Sequence, residues 1–197
     1  MSEASRKPRE VRLKGKAVRS ATIEAVWRQV SPELRTELVE FWTSTRALPN
    51  AGLAAARVDE VVCIVRDERG ALCGVCTVQL RVLPRLRQPM YYLRMFLAKP
   101  ARGLGQVIPL HNASRDALAA YNRTLAQPEA LGVLVEFESR FLSDRFKSAH
   151  MPEADSTFIG YSPRGLQLRV SYFEGANLLP PSPAAVPATT GTGARPR

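Results

Sequence analysis

A few short stretches of this chain hold residue types that could do chemistry. Glu136 and Glu138 stand two apart in GVLVEFE, a run of strand character. Residues two apart on a strand share a face, so the two carboxylates could serve together as general bases. They could equally form the exposed polar face opposite Val133, Val135 and Phe137. Tyr92 and Arg94 share a face of another apolar run, MYYLRMF, with Tyr91 on the opposite face. They could line a substrate pocket, and Arg94, if buried, would need a partner such as Glu136 or Glu138. Arg102-Gly103-Leu104-Gly105-Gln106-Val107 follows that run. Glycines there let a ligand approach the backbone and permit positive φ. Glu60, at the start of another apolar strand, is a further candidate base.

Cys73-Gly-Val-Cys76 has the spacing of a redox or zinc pair. On a strand, an odd separation sends two side chains to opposite faces. No second Cys/His pair has ligand spacing. The expectation is that Cys63, Cys73 and Cys76 are buried reduced thiols and that no metal is bound. His111 and His150 show no carboxylate relay and read as structural or surface residues.

The elements that must position these residues alternate. Thr22–Arg28 suits a strand. Ser31-Pro32 opens a helix, with serine as cap and proline at the first helical position. Its apolar face carries Leu34, Leu38, Phe41 and Trp42. Ala51–Asp59 is a second short helix or a loop. Val61–Arg66 and Leu72–Val82 flank the polar turn Asp67-Glu68-Arg69-Gly70 as a hairpin. Met90–Ala98 is a long third strand before the glycine turn. Ser114–Gln127 is helical, Gly132–Glu138 a strand, and Arg140–His150 a short helix. Thr157–Tyr161 and Leu166–Phe173 make a second hairpin around Ser162-Pro163-Arg164-Gly165. Antiparallel hairpins around a strand–helix–strand crossover predict an α/β fold with a mixed, mostly antiparallel sheet flanked by helices.

The chain has 197 residues, 45% of them hydrophobic, enough for one domain with a sizeable core. The ordered body is expected over 20–176, between a basic arm at 1–19 and a Pro/Thr/Gly-rich tail at 177–197, both expected to be disordered. The arm holds seven Lys/Arg against Glu3 and Glu10, half of the net charge of +10. Such an arm can attract nucleic acid or acidic partners, although no aromatics interleave it for base stacking. No apolar run approaches the ~20 residues of a membrane span, and the N-terminus lacks the apolar segment of a secretory signal. The expected location is cytoplasmic, with no membrane partner.

This order of elements resembles the GNAT acyltransferase superfamily over roughly residues 22–173. More narrowly, EVVCIVRDERGALCGV, YYLRMFLAKPARGLG and FIGYSPRGLQLRVSYFEGA resemble a bacterial GNAT-like group. The family's fingerprint after the central strand is Arg/Gln-x-x-Gly-x-Gly/Ala, and Arg102-x-x-Gly105-x-Val107 is similar to it. The resemblance implies that Arg102, Gly103, Leu104, Gly105, Gln106 and Val107 bind the pyrophosphate of acetyl-CoA or another acyl-CoA. Leu97, Ala98 and Lys99 would lie beside its pantetheine arm. It implies direct N-acyl transfer in a ternary complex to an amine, either a small molecule or a peptide or protein. Glu136 and Glu138 would be the bases near the acyl end, and Tyr92 and Arg94 would contact the acceptor.

Three departures stand against the family pattern. Val107 replaces Gly or Ala, Pro109 sits at the start of the following helix, and Phe146 lies where many members carry a proton-donating tyrosine. They favour the alternative of a catalytically weak binding module on the same fold. A nucleic-acid-binding protein working through its basic arm is the other alternative.

Overall fold

The computed structural model describes residues 21–102 and 105–181. The basic arm 1–19, most of the tail, Gly103 and Leu104 lie outside the described residues.

Eight strands form one sheet in the order β1-β2-β3-β4-β5-β8-β7-β6. They are β1 (Thr22–Ala25), β2 (Val61–Arg66), β3 (Leu72–Leu83), β4 (Gln88–Leu97), β5 (Gly132–Glu136), β6 (His150–Met151), β7 (Ser156–Tyr161) and β8 (Gln167–Tyr172). The β4–β5 pair is parallel, and every other neighbouring pair is antiparallel. The four helices are α1 (Pro32–Ser44), α2 (Ala51–Arg57), α3 (Val107–Thr124) and α4 (Arg140–Arg145). The fold is thus the mixed α/β sheet that the element order predicted.

Local signals explain most of these bounds. Ser31 Oγ accepts from the Leu34 N–H at the start of α1, and Asn50 Oδ1 accepts from the Leu53 N–H at the start of α2. β1 stops at Ala25 rather than Arg28, because the chain turns through Arg28 at φ 61°. The helix expected from Ser114 begins seven residues earlier, at Val107. Pro109 is therefore its third residue, in the first turn, where a proline removes no intrahelical hydrogen bond. The helix expected over 140–150 ends at Arg145.

Three apolar clusters fill the fold. Leu110 and Leu118 of α3 pack on one sheet face against Val65, Tyr91, Val133 and Phe137. Leu38, Phe41 and Trp42 of α1 pack with Ala54 on the other face, against Ile64 and Val75. Met90, Tyr92, Leu134 and Val170 form the third cluster. At the entry to β5, the Asn122 side chain donates to the Ala130 carbonyl and accepts from the Glu129 N–H. At Gly132, an added Cβ would lie 2.3 Å from the Ser171 carbonyl oxygen. Only glycine lets β5 run that close to β8.

The cysteine expectation needs two corrections: Cys73 is half-buried rather than buried, and it does not face away from Cys76. A bulge sets Arg66 opposite Leu72 but Val65 opposite Gly74, which leaves Cys73 as the extra residue. An extra residue shifts the alternation by one, so Cys73 and Cys76 pack on the same core cluster, not on opposite faces. All three thiols are free. Burial raises each thiol pKa, that of Cys76 to about 12.

Candidate active site

β4 pairs with β3 along its whole length but with β5 only from Tyr91 to Leu93. Beyond the Leu93–Val135 pair the two parallel strands separate. A cleft of about 340 Å³ opens between them, walled by Leu93, Met95, Val135, Phe137 and Leu142 with Phe141 at its rim. The Ala98 N–H donates to the Cys73 carbonyl on β3. Backbone groups alternate between the two edges of a strand, so Met95 and Leu97 turn theirs toward the split. The Leu97 carbonyl accepts from Arg102 Nε at 2.8 Å.

The cleft runs from the strand split to the start of α3. Gly105 has φ 75°, a left-handed conformation that glycine adopts without strain. No side chain caps the helix behind it, and the Leu110 N–H is the first to reach back, to the Gln106 carbonyl. The N–H groups of Val107 and Ile108 thus have no intrahelical acceptor, and the helix dipole adds positive potential there. The Val107 side chain is partly buried. It packs on the main core and forms part of the cleft wall. Arg102 also lines the cleft, its guanidinium 5.7 Å from the centre of the Phe96 ring.

Of the three residues expected beside the pantetheine arm, only Leu97 lines the cleft. The Ala98 N–H is bonded to β3, and Lys99 lies in a short 3-10 turn whose carbonyl accepts from the Arg102 N–H. Met95, which the sequence does not single out, is the β4 residue whose backbone faces the open split.

The inner end of the cleft is polar. Tyr92 Oη donates to Glu136 Oε2 at 2.8 Å, and Arg94 Nη2 donates to Glu138 Oε1 at 3.0 Å. Arg164, from the turn between β7 and β8, reaches both carboxylates. Its Nη2 lies 2.7 Å from Glu136 Oε2 and 3.2 Å from Glu138 Oε1. The structure therefore brings all four predicted residues to one place, and the partner anticipated for Arg94 is Glu138. Burial raises the pKa of Glu136, but hydrogen bonds from Arg164, Ser162 and Tyr92 outweigh it and the net shift is downward. Burial likewise opposes, and Arg94 and Arg164 overcome, the shift at Glu138, which is also downward. Tyr92 is held protonated by burial and by the neighbouring Glu136. Both arginines engage Glu138 through Oε1 and leave its Oε2 outside these bonds.

The remaining candidates are structural. Tyr91 is buried on the α3 side, with its hydroxyl donating to Glu129. Glu60 accepts from Gln79 Nε2 and pairs with Arg57, outside the cleft. His111 is buried against Ser171, and burial lowers its pKa. Exposed His150 contacts Thr157. Phe146 packs on Phe137 with tilted rings, their centres 6.0 Å apart. Arg164 was missed because a turn residue 28 positions from Glu136 carries no sequence signal of that contact.

On the α1–α2 side of β4 lies a second cavity of about 350 Å³. The two cavities share Arg94, Met95, Phe96 and Glu138. Among the described residues no group of His, Cys, Asp and Glu could hold a metal ion, and no helix is long and apolar enough to cross a membrane.

No family model matches the chain, and no curated protein matches it by sequence. Solved structures do match. A GNAT-superfamily phosphinothricin acetyltransferase from Sinorhizobium meliloti, in complex with AcCoA, is 16% identical with a TM-score of 0.50. The match covers 86% of this chain and 97% of that one. A GNAT-family acetyltransferase from Streptococcus pneumoniae is 12% identical, also with a TM-score of 0.50, over 78% of this chain and 99% of that one. The chain has the GNAT fold.

Proposed function

We propose that this protein is an acyl-CoA-dependent N-acyltransferase that passes an acyl group, acetyl in the first instance, directly to an amine in a ternary complex. One observation carries the reading: the parallel strands β4 and β5 part after Leu93 and Val135, and the apolar cleft between them ends at the uncapped start of α3. The residues present fit the donor. The apolar walls suit a pantetheine arm and leave the Met95 backbone to hydrogen-bond its amides. The N–H groups of Val107 and Ile108 suit a pyrophosphate, as helix starts generally do. The AcCoA complex of the Sinorhizobium meliloti enzyme supports the same donor.

Acyl-CoA supplies an electrophilic thioester carbonyl, and the chain's own residues do the rest. Met95 and α3 fix the donor in line with the split. Glu136 and Glu138 stay ionised at neutral pH, and these carboxylates accept the proton that an attacking amine must lose, directly or through water. Arg94, Arg164 and Tyr92 fix the orientation of both carboxylates.

One observation favours the second reading, a binding module without turnover. Both carboxylates are tied to arginines, and no tyrosine of α4 lines the cleft, which takes Phe141 and Leu142 from that helix. Thermal unfolding with acetyl-CoA and a thiol-release assay with an amine panel separate the two. A ligand at ~100 times its Kd adds ~2.7 kcal/mol of stability, and the acyltransferase reading expects both the shift and thiol release. A shift without thiol release from any amine favours the module. The absence of a shift with acetyl-CoA and longer acyl-CoAs overturns both.

A further inference from the structure

We infer that the second cavity is the acceptor site and that its acceptor is an amino carboxylate: a compact molecule with a primary amine at one end and a carboxylate at the other. The inference rests on the acyltransferase reading and adds the substrate class. Trp42, Leu48 and Phe96 give the cavity an apolar wall. At its junction with the acyl cleft stand Arg94 and Glu138. Arg57, from the last turn of α2, also lines the cavity. It is partly buried, and its one ion pair is a 3.6 Å contact from Nε to Glu60 Oε2. Its two terminal nitrogens donate to none of the described residues, although the fork of a guanidinium matches a carboxylate.

The polarity of the cavity orders the ligand. An ammonium or amine is attracted to Glu138, beside the acyl cleft, and a carboxylate to the open donors of Arg57. The apolar stem between them lies on Trp42 and Phe96. Arg94, the other guanidinium described in the cavity, already donates to Glu138, so Arg57 is left to take a singly charged carboxylate. In the transfer, the amine nitrogen forms a C–N bond to the acyl carbonyl and the C–S bond breaks. The sulfur keeps the electron pair and takes up a proton, and the proton lost by nitrogen passes to a carboxylate and on to solvent. The products are an N-acyl amino carboxylate and free CoA thiol.

The test compares 4-aminobutanoate and 6-aminohexanoate with propylamine and pentylamine, the same molecules with hydrogen in place of the carboxylate. Thiol release from acetyl-CoA is expected to show kcat/KM at least tenfold higher for the acid of each pair, through KM more than kcat. Arg57→Met, which keeps an apolar stem, should reduce that ratio to about two or less with no change in KM for acetyl-CoA. Arg57→Lys, which keeps the charge without the fork, should retain part of it. Equal use of acid and amine by the wild-type protein, or an unchanged ratio in Arg57→Met, overturns the inference. Calorimetric titration of the same acids, with and without CoA, decides the case in which no turnover is seen. Binding that Arg57→Met abolishes supports the site, and no binding overturns it. A missing acetyl-CoA thermal shift is a separate readout that strikes the donor reading on which the inference rests, whereas a shift with no acid preference strikes the inference alone.

Discussion

Glu136 accepts hydrogen bonds from Tyr92 and Arg164 on the same oxygen, and this sets how the site responds to pH. Its pKa, like that of Glu138, is lower in the folded protein than the ~4.3 of a free glutamate. A carboxylate with a depressed folded pKa stabilises the fold fully above its unfolded pKa. That contribution is lost as pH falls through the folded value. Urea unfolding followed from pH 7 downward should therefore hold its midpoint until about pH 4.3 and then decline. Arg164→Ala should flatten the decline and lower stability at pH 7 by a matching amount, since one attraction between Arg164 and the buried Glu136 carboxylate produces both. The same shift bears on catalysis. With both carboxylates ionised throughout the neutral range, the rise of kcat/KM with pH should follow the ionisation of the acceptor amine alone. An inflection near pH 6–7 that vanished in Glu136→Gln would show instead a base with a raised pKa. Glu136→Gln itself should lower kcat by about 10²-fold or more, the usual contribution of a positioned base, and leave the acetyl-CoA thermal shift intact.

β5 and α3 are the elements that make the cleft, and each depends on a backbone feature. An alanine at Gly132 would set its Cβ 2.3 Å from the Ser171 carbonyl and 2.7 Å from the Tyr172 Cα. Neither backbone atom can rotate away, so β5 would have to leave β8. The expected cost is about 1–3 kcal/mol, as for other overpacked sites, read as a lower denaturation midpoint. Pro109 behaves oppositely. In the first turn of α3 its missing N–H forfeits no helical bond, so Pro109→Ala should change stability by only about 0.5 kcal/mol, against ~3 kcal/mol for an interior proline. These elements were largely legible in the sequence. Alternating apolar strands, the Ser31 cap and the glycine turn before a helical pattern are local signals, and together they indicated the element order and the faces shared by Tyr92 with Arg94 and by Glu136 with Glu138. What was not legible depends on register or on distant segments. The bulge at Cys73 leaves no mark in composition, and it overturned the opposite-face expectation for the CxxC pair. Arg164 and the second cavity join residues from separate turns, helices and strands, which periodicity does not relate.

Across the whole molecule, two cavities meet at Arg94 and Glu138, and that meeting makes a prediction about kinetic order. Direct transfer needs donor and acceptor bound together. Initial rates with both substrates varied should then give intersecting double-reciprocal lines. Parallel lines would require a nucleophile that carries the acyl group between substrates. The thiols are poorly suited to that role. Cys63 and Cys76 are buried in the core, burial raises the Cys76 pKa to about 12, and none of the three lines either cavity. Every described residue that lines the two cavities falls between Trp42 and Leu142. Deleting residues 1–19 should therefore leave the acetyl-CoA thermal shift and the intersecting pattern unchanged. If the arm recruits nucleic acid, the same deletion should abolish that binding together with its steep salt dependence. A truncated protein that lost acetyl-CoA binding would place the arm in the site and overturn the separation of the two roles.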